Sequence, residues 1–351
     1  MCQNPGVAND GTEGNGTGSR DEARPKVAVV IPAHSVSRFI LDVIARVDDA
    51  VALVIVVDDC CPERTGDLVR RRVDDPRVRV IRNPRTLGVG GAMIVGFRRA
   101  LAEGSDIIVK LDGDGQHYPE WIPEIVRPIA EGDADMVKGN RFYDIETVRS
   151  MPPGRLLANV VLSFAAKLST GYWDLFDPAN GFLAIHRKVA TRLPLRKIDS
   201  GYFFETDLLF RAGILMAKVV EVPIEAVYGS EKSGVSLLRQ AAPFLWKSFR
   251  NTVKRVLYCY FLRGFSVASL LLVAGVCAVS FGVSFGLYQW IGSAVPATAG
   301  TVMLAGLPVL SGLQMLIGFV GHDIARQPAS AIHMRLRGDG HASGGECGAG
   351  P

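Results

Sequence analysis

Two aspartates one residue apart, Asp112 and Asp114, directly follow the short apolar run 107–111. Glycines separate and follow them in the sequence DGDG. Because glycine tolerates sharp backbone bends, both carboxylates can converge on one point. Hard oxygen ligands of this kind suit Mg²⁺ or Mn²⁺, which also take ligands from a substrate phosphate. The spacing therefore indicates a divalent-cation site at the end of a strand, and an Asp-Gly turn without a cation is the alternative.

The elements that must position this pair alternate between buried strands and helices. The predicted strands are 26–31, 53–58, 77–82, 106–112 and 134–139, and the helices between them are 39–47, 92–101 and 121–130. This alternation predicts a parallel sheet with helices on both faces. Ligands of such sheets bind outside the carboxyl ends of the strands. We therefore expect the residues at the ends of the strands to meet at one edge of the sheet. They are Pro32, Ala33, His34, Asp58, Asp59, Asn83, Asp112 and Asp114.

The second half of the domain is less regular. It contains predicted strands at 180–187 and 218–224 and predicted helices at 156–168 and 203–212. The last of these helices carries two carboxylates, Glu205 and Asp207. On a solvated face of this helix, the two carboxylates would have no role in binding.

The chain changes character after the sheet domain. Residues 237–260 place large apolar side chains at three- and four-residue spacing opposite basic ones, a pattern typical of a helix at a membrane interface. An amphipathic helix packed on the domain is the alternative. Residues 264–291 and 292–321 contain no charged side chain, so two membrane-spanning helices are predicted at about 264–290 and 298–321. A buried apolar hairpin in a soluble protein is the alternative to these spans.

Lysine and arginine flank the two spans and are absent from the loop between them. By the positive-inside rule, the sheet domain faces the cytoplasm and the protein lies in the cytoplasmic membrane. The predicted division is a disordered leader (1–24), the sheet domain (25–232), amphipathic juxtamembrane helices (233–262), two membrane helices (263–325) and a flexible cytoplasmic tail (326–351). The net charge of +4 is too weak to indicate a nucleic-acid partner. The six cysteines show no metal-ligand spacing and no disulfide framework, which favours a reducing compartment.

Seven motifs together resemble the family 2 glycosyltransferases of the A-type fold. In chain order they are IPAHS (31–35), VVDDCC (56–61), RNPRTLGVGGA (82–92), LDGDGQH (111–117), MVKGNRF (136–142), DPANGFLAI (177–185) and FFETDLLFRA (203–212). More narrowly, residues 26–325 resemble polyprenyl-phosphate glycosyltransferases of the dolichyl-phosphate mannose synthase type. The resemblance implies an α/β fold with a Rossmann-like mixed sheet, followed by amphipathic interface helices and a two-helix transmembrane hairpin.

The resemblance also implies roles for residues at matching positions. Those implied to bind the nucleotide sugar are Pro32, Ala33, Asp58, Asp59, Asn83, Gly88, Gly91 and Asp112. Glycines that open a helix can expose N–H groups to a diphosphate, which agrees with such a role for Gly88 and Gly91. Asp112, Asp114 and Gln116 match the metal triplet, and Arg141 matches an arginine that holds a phosphate. Asp112, Asp114, Arg141 and Asp207 are the implied catalytic residues.

Glu205 and Asp207 match the acceptor site, and Lys232 is the candidate cation for an acceptor phosphate. A lipid phosphate is already an anion near neutral pH, so Asp207 would orient the acceptor more than deprotonate it. The sequence departs from the family pattern at 34–36, which reads His-Ser-Val where Tyr-Asn-Glu is frequent, and at Cys60-Cys61, where Gly-Ser is frequent. His34 and His117 are expected to be hydrogen-bonding residues at the sheet edge, not metal ligands.

The predicted activity is an inverting transfer of a hexose, dependent on Mg²⁺ or Mn²⁺, from a UDP- or GDP-sugar to polyprenyl phosphate at the cytoplasmic face of the bilayer. One alternative keeps the fold and transfers the sugar to a hydroxyl of a lipid-linked or surface glycan, with Asp207 as the base. Another is a catalytically inactive membrane binding or scaffold protein. A nicotinamide-binding fold is disfavoured, because no G-x-G-x-x-G follows the first strand. Homo-oligomerisation stays open.

Overall fold

The computed structural model describes residues 24–143, 153–225, 237–292 and 297–336. The strands are β1 (Val27–Ala33), β2 (Leu53–Asp58), β3 (Val78–Arg82), β4 (Ile107–Lys110), β5 (Met136–Asn140), β6 (Leu183–His186) and β7 (Val219–Pro223). The helices are α1 (Ile40–Ala45), α2 (Thr65–Arg72), α3 (Val89–Ala102), α4 (Ile122–Ala130), α5 (Pro153–Thr170), α6 (Arg187–Ala190), α7 (Phe204–Leu215), α8 (Leu237–Leu257), α9 (Val267–Gly292) and α10 (Ala299–Ala325).

The seven strands form one mixed sheet in the order β3-β2-β1-β4-β6-β5-β7. Strand β6 lies between β4 and β5 and runs antiparallel to both, whereas the other neighbours are parallel. The five strands from which the alternation predicted a parallel arrangement, β1 to β5, all run in the same direction. The antiparallel β6 confirms the mixed sheet implied by the family resemblance. The hydrophobic pattern did not reveal the direction of β6, because a strand buried on both faces has the same apolar sequence pattern whichever way it points.

Two apolar layers cover the faces of the sheet. Alternate residues of β1 serve opposite layers, so Val29 packs in one cluster with α1 and α4, and Val30 packs in the other with α3 and α7. Burial on both faces explains why β1 and β2 are continuous apolar runs and not alternating ones. Helix α2 was not predicted, because its sequence TGDLVRRR is short and has few apolar residues.

The amphipathic helix α8 packs against α5 and passes through a π-helical turn, Tyr258–Leu262, into the two long apolar helices. By length and composition, α9 and α10 can each cross a membrane. They meet closely, since a Cβ on Gly275 would lie 3.0 Å from the Gly312 carbonyl oxygen. Both ends of this hairpin return to the sheet domain.

An ion pair locks the end of α10 to α8. Both oxygens of Asp323 accept from the Arg255 guanidinium, at 2.7 and 2.8 Å, and they also accept from the Tyr260 hydroxyl and the Trp173 indole. All of these contacts lie at the base of the hairpin, where α8, α10 and the segment after α5 meet. The hairpin is therefore joined to the sheet domain by buried polar contacts as well as by its two chain connections.

Residues 326–336, the C-terminal segment, run back along the sheet domain. The buried Asp135, just before β5, accepts from the backbone N–H groups of Ile332 and His333 at 2.8 and 2.7 Å. The His333 ring contacts the same carboxylate at 2.8 Å and stacks on His186 with 4.1 Å between ring centroids. The prediction of a flexible tail over 326–351 is thus wrong for this segment, because Asp135 and His186 hold it; 337–351 lie outside the described residues.

Candidate active site

The carboxyl ends of β1, β2 and β3 are joined by backbone hydrogen bonds. The Asp59 N–H donates to the Ala33 carbonyl oxygen at 3.1 Å, and the Asn83 N–H donates to that of Asp58 at 2.8 Å. Pro32 is half-buried at the same edge, next to the fully buried Ala33. The structure therefore brings together the polar cluster expected at the ends of these strands.

Asp59 organises the start of α3. Its carboxylate accepts from the Asn83 side-chain amide at 2.7 Å and from the N–H groups of Leu87 and Gly88 at 2.9 and 2.8 Å. Gly88 has φ +83°, a left-handed conformation that favours glycine, and a Cβ there would lie 2.6 Å from the Ser200 carbonyl oxygen. Asp59 and Asn83 thus fix the loop that leads into α3.

The Gly91 N–H donates to the Ser200 carbonyl oxygen at 3.0 Å, and the Gly88 N–H is bound to Asp59. The expectation that these two N–H groups face a diphosphate is therefore corrected. Gly88 lets the start of α3 approach the loop before α7, and neither amide is free for a ligand. A contact of this segment with the donor stays a prediction.

Asp58 is fully buried, and both of its oxygens are bound. They accept from the N–H groups of Cys61 and Gly66, each at 2.8 Å. Asp58 therefore shapes the turn from β2 into α2 and presents no carboxylate surface to a nucleotide base in this structure. Of the two edge histidines, His34 forms the expected hydrogen bond, with its Nδ1 3.2 Å from the Asp59 carbonyl oxygen.

A buried lysine holds the first aspartate of the DGDG sequence. Lys110 is 1% exposed, and its ammonium lies 2.6 Å from Asp112 Oδ1 and 3.2 Å from Glu205 Oε1. Burial alone would lower the pKa of Lys110, but the charges of Asp112 and Glu205 raise it above its usual value. Burial would likewise raise the pKa of Asp112, but the charge of Lys110 outweighs burial and the pKa is lowered. Lys110 and Asp112 are therefore both charged.

Sequence reasoning treated Lys110 as part of an apolar strand and missed this role. The signal was a lysine inside a buried strand two residues before an aspartate, a spacing that puts both side chains on one face. Gly181 at the start of β6 was also missed. A Cβ on Gly181 would lie 2.1 Å from Asp112 Oδ2 and 2.7 Å from the Lys110 ammonium, so only glycine leaves room for this ion pair.

Asp114 lies on the open side of the same turn. Its Oδ1 accepts from the Gln116 N–H at 3.0 Å, and Gly115 has φ +75°. Burial and the charge of Asp112 raise the pKa of Asp114, so the two carboxylates are close enough to repel each other. Gln116 is exposed beside them.

This donor set fits Mg²⁺ or Mn²⁺ that takes its remaining ligands from a substrate. Two carboxylates that repel each other attract a divalent cation, and the Gln116 side chain adds an amide oxygen within the same turn. Over the described residues, no group of three or more His, Cys, Asp or Glu could hold a metal ion. Phosphate oxygens and water commonly supply the other ligands of such ions.

His117 ends this turn and does not form the hydrogen bond that was expected of it. Its ring is buried, the distance between its centroid and that of the Phe182 ring is 5.5 Å, and neither ring nitrogen has a hydrogen-bond partner among the described residues. Burial lowers the pKa of His117 to about 4, so the ring is neutral at physiological pH. The expectation is therefore wrong for His117, because the ring packs on an aromatic side chain.

Arg141 follows β5 and is held by a residue that sequence reasoning missed. Its guanidinium donates to both oxygens of the buried Asp177, at 2.8 and 3.2 Å. The Asp177 N–H in turn donates to Glu221 at 2.7 Å, and Glu221 also accepts from the Asn140 side chain at 3.0 Å. The available signal in the sequence was that Asp177 is the first residue of the DPANGFLAI motif.

Glu205 and Asp207 are buried at the start of α7, so the alternative of a solvated helix face is wrong. Asp207 accepts from the Asp199 N–H at 3.0 Å, from the Arg211 guanidinium at 3.0 Å, and from the Asn251 side chain at 3.0 Å. Because Asn251 lies on α8, Asp207 joins the sheet domain to the amphipathic helix. Lys232 lies outside the described residues.

Comparison with known proteins places these features in a family. The sequence profile described as "Glycosyl transferase family 2" matches residues 28–193. The chain is 34% identical over 206 residues to the undecaprenyl-phosphate mannosyltransferase of Micrococcus luteus, which is 58% of this chain and 84% of that protein. It is 32% identical over 224 residues to the polyprenol monophosphomannose synthase of Mycolicibacterium smegmatis, 62% of this chain and 84% of that protein.

The fold also has a counterpart among solved structures. Glucosyl-3-phosphoglycerate synthase from Mycobacterium tuberculosis, in complex with Mg²⁺ and uridine diphosphate, is similar with a TM-score of 0.50. The match covers 66% of this chain and 79% of that chain, with 21% sequence identity. At this identity the likeness concerns the fold, which is the A-type glycosyltransferase sheet.

Proposed function

Because the chain belongs to glycosyltransferase family 2 and is a glycosyltransferase, we propose that it transfers a hexose from a nucleoside diphosphate sugar to polyprenyl phosphate at a membrane surface. The names of the two relatives support this acceptor. The observation that carries the proposal is the Asp112–Asp114 pair, on a domain whose chain continues into two helices able to cross a membrane. The alternative of a catalytically inactive scaffold protein is disfavoured, because a scaffold would not require two carboxylates held in this arrangement.

On the donor side, Asp112 and Asp114 would hold Mg²⁺ or Mn²⁺, with Gln116 beside them. The ion supplies charge neutralisation for the departing nucleoside diphosphate. The complex of the M. tuberculosis synthase with Mg²⁺ and uridine diphosphate supports this role for a relative in fold. The donor is a UDP- or GDP-hexose, and Pro32 and Asn83 lie at the strand ends where its nucleotide would bind.

On the acceptor side, a phosphate oxygen of the lipid attacks the anomeric carbon. A bond forms between that oxygen and the carbon while the bond from the carbon to the diphosphate breaks, so the configuration inverts. The attacking oxygen is already ionised and no proton has to leave. The arrangement around Asp207 agrees with this chemistry, because its oxygens are bound by Asp199, Arg211 and Asn251 and are not free to act as a base.

The same observation disfavours a glycan hydroxyl as the acceptor, since a hydroxyl needs a base. Arg141 is the cation best placed for a phosphate, because Asp177 holds its guanidinium at the carboxyl end of β5. Its side chain is partly exposed. We assign it to binding of the donor or the acceptor phosphate.

Helices α5 and α8 together present an apolar surface that supports a membrane acceptor. Large apolar side chains are exposed on both helices, and they are Leu157, Val160, Val161, Phe164, Trp246, Phe249, Val253 and Leu257. A cavity of about 290 Å³ opens between α5 and the Phe142 and Phe176 side chains. Because Phe142 directly follows Arg141, a prenyl chain in this cavity would bring its phosphate toward the site. The positive-inside pattern supports the cytoplasmic leaflet as the side on which this surface lies.

Radiolabelled UDP- and GDP-hexoses, offered with polyprenyl phosphate and Mg²⁺ or Mn²⁺, test the proposal. We expect one donor to yield an organic-soluble, acid-labile lipid product. Polyprenol without the phosphate, and the Asp112→Asn variant, should give none. Transfer onto a glycan without any lipid-linked product would instead establish the hydroxyl acceptor.

A further inference from the structure

The ammonium of Lys110 already occupies one oxygen of the carboxylate that is assigned to the cation. We propose that Lys110 is a resident counter-ion that competes with the divalent cation for Asp112, so that the cation binds tightly only together with the nucleotide diphosphate. This inference rests on the proposed function, because it takes Asp112 to be a cation ligand. It adds an order of binding, set by a residue of the chain itself.

The position of the ammonium is fixed. Lys110 is buried within β4, and its ammonium contacts Asp112 at 2.6 Å and Glu205 at 3.2 Å. Gly181 closes the space next to it, since even a Cβ there would lie 2.7 Å from the ammonium. The positive charge therefore stays beside the site when a ligand enters.

Asp112 is turned toward the protein. Its Oδ1 binds Lys110, and its Oδ2 faces Gly181, where a Cβ would come within 2.1 Å. The side chain is nevertheless 25% exposed, so a cation can reach it from the solvent side. Such a cation must share the carboxylate with an ammonium of the same sign of charge, and the two cations repel each other.

A diphosphate changes this balance. Its negative charges attract both the ammonium and the divalent cation, and so offset their repulsion. By linkage, the nucleotide tightens cation binding by the same factor by which the cation tightens nucleotide binding. Lys110 thus makes Asp112 a selective ligand for the cation–nucleotide complex over the free cation.

The test is Mn²⁺ binding to the full chain in detergent micelles, followed by the electron paramagnetic resonance signal of free Mn²⁺, with and without UDP or GDP. Lys110→Met should bind Mn²⁺ alone about tenfold more tightly than the wild type, because a neighbouring positive charge is removed. Added nucleotide should then tighten Mn²⁺ binding less than it does in the wild type. Lys138→Met is the matched control: it removes a buried lysine of β5 that donates to the Asn180 carbonyl oxygen, and we expect a smaller change.

Lys110→Met leaves two carboxylates without their counter-ion and can impair folding, so a second pair of variants is needed. The Glu205→Gln variant keeps the Lys110 ammonium. The double variant Lys110→Met/Glu205→Gln loses one positive and one negative charge, so the net charge of the site is that of the wild type. The double variant should bind Mn²⁺ alone more tightly than Glu205→Gln. Equal affinities in this pair would overturn the proposal and leave Asp112 as a cation ligand. If Asp112→Asn binds Mn²⁺ with nucleotide as the wild type does, the proposed function fails as well.

Discussion

Gly181 lies directly against the Asp112 carboxylate, so that a methyl group on this glycine would come within 2.1 Å of Oδ2. The atoms in the way belong to the ion pair of Asp112 and Lys110, so a methyl group can fit only if this buried pair is displaced. Gly181→Ala should therefore lower the melting temperature, because it disturbs a buried ion pair. It should lower the transfer rate at least about a hundredfold, because a misplacement of about 1 Å at a reacting site has that effect.

Gly154→Ala is the control for this substitution, because no atom of the described part of the chain lies within 4 Å of a Cβ at Gly154. We expect wild-type activity from it. Normal activity in Gly181→Ala would show that the position of Asp112 is not critical.

Removal of divalent cations should abolish transfer. In EDTA we expect no lipid product, and addition of Mg²⁺ or Mn²⁺ should restore the wild type but not Asp114→Asn. Because burial and the charge of Asp112 raise the pKa of Asp114, this carboxyl takes up a proton at a higher pH than an isolated aspartate. Cation binding should therefore weaken on acidification sooner than an isolated aspartate would predict. Activity that persists in EDTA would exclude the cation.

The Arg255–Asp323 pair should be essential for the junction of the hairpin with the sheet domain. Arg255→Met leaves a buried carboxylate without its guanidinium and should lower the free energy of unfolding by about 3–5 kcal/mol. Thermal unfolding in detergent measures this loss. Arg250→Met, which removes an exposed arginine from the same helix, should change the stability little. Similar losses in both variants would contradict a specific role for the buried pair.

Asp135 should hold the C-terminal segment to the sheet. Two Asp135 oxygens accept from the backbone N–H groups of Lys218, Ile332 and His333. Asp135→Asn replaces one of these oxygens by an NH2 donor, and should destabilise the protein by about 2–4 kcal/mol. Limited proteolysis within 326–336 should become faster. Asp133→Asn, an exposed neighbour, is the control. Unchanged protection of the segment would show that other contacts suffice to hold it.

His186 should make the docking of this segment dependent on pH. Burial, followed by the charges of His333 and Lys188, lowers the pKa of His186 to about 4. The unfolded chain, with a histidine pKa of about 6.5, binds the proton first, so stability is full above about pH 6.5 and is lost as the pH falls toward 4. Thermal unfolding across this pH range measures how the stability of the protein changes with pH. His186→Phe keeps an aromatic ring next to His333 and should reduce this pH dependence, leaving the part due to His117, whose pKa is also lowered to about 4. An unchanged pH dependence would assign the effect to another group.

Several features of the fold follow from local sequence. Val29 and Val30 lie in one apolar run that serves two opposite layers, and this run is the reason β1 was found from residue types alone. The hairpin helices were equally clear, because long uncharged segments have few other stable environments. The DGDG turn was found because its residue types allow little besides a tight bend with two carboxylates.

Other features depend on partners far away in the sequence. The role of Lys110 depends on Glu205 and Gly181, which are distant in sequence and lie next to it in the folded protein. The contacts of His333 with Asp135 join residues on either side of the hairpin. No periodicity within a segment encodes such pairings, because hydrophobic patterns report burial and not the identity of the neighbour.

The return of residues 326–336 to the sheet decides how this enzyme can be made water-soluble. A fragment that ends before α9 would lose Asp323 and His333 together, and would deprive the buried Arg255 and Asp135 of these partners. Excising the hairpin and splicing its two ends is the better route, since the Tyr260 hydroxyl already lies 2.6 Å from Asp323 across that gap. A short glycine-rich bridge in place of α9 and all of α10 except its last turn, which carries Asp323, would then keep both anchors.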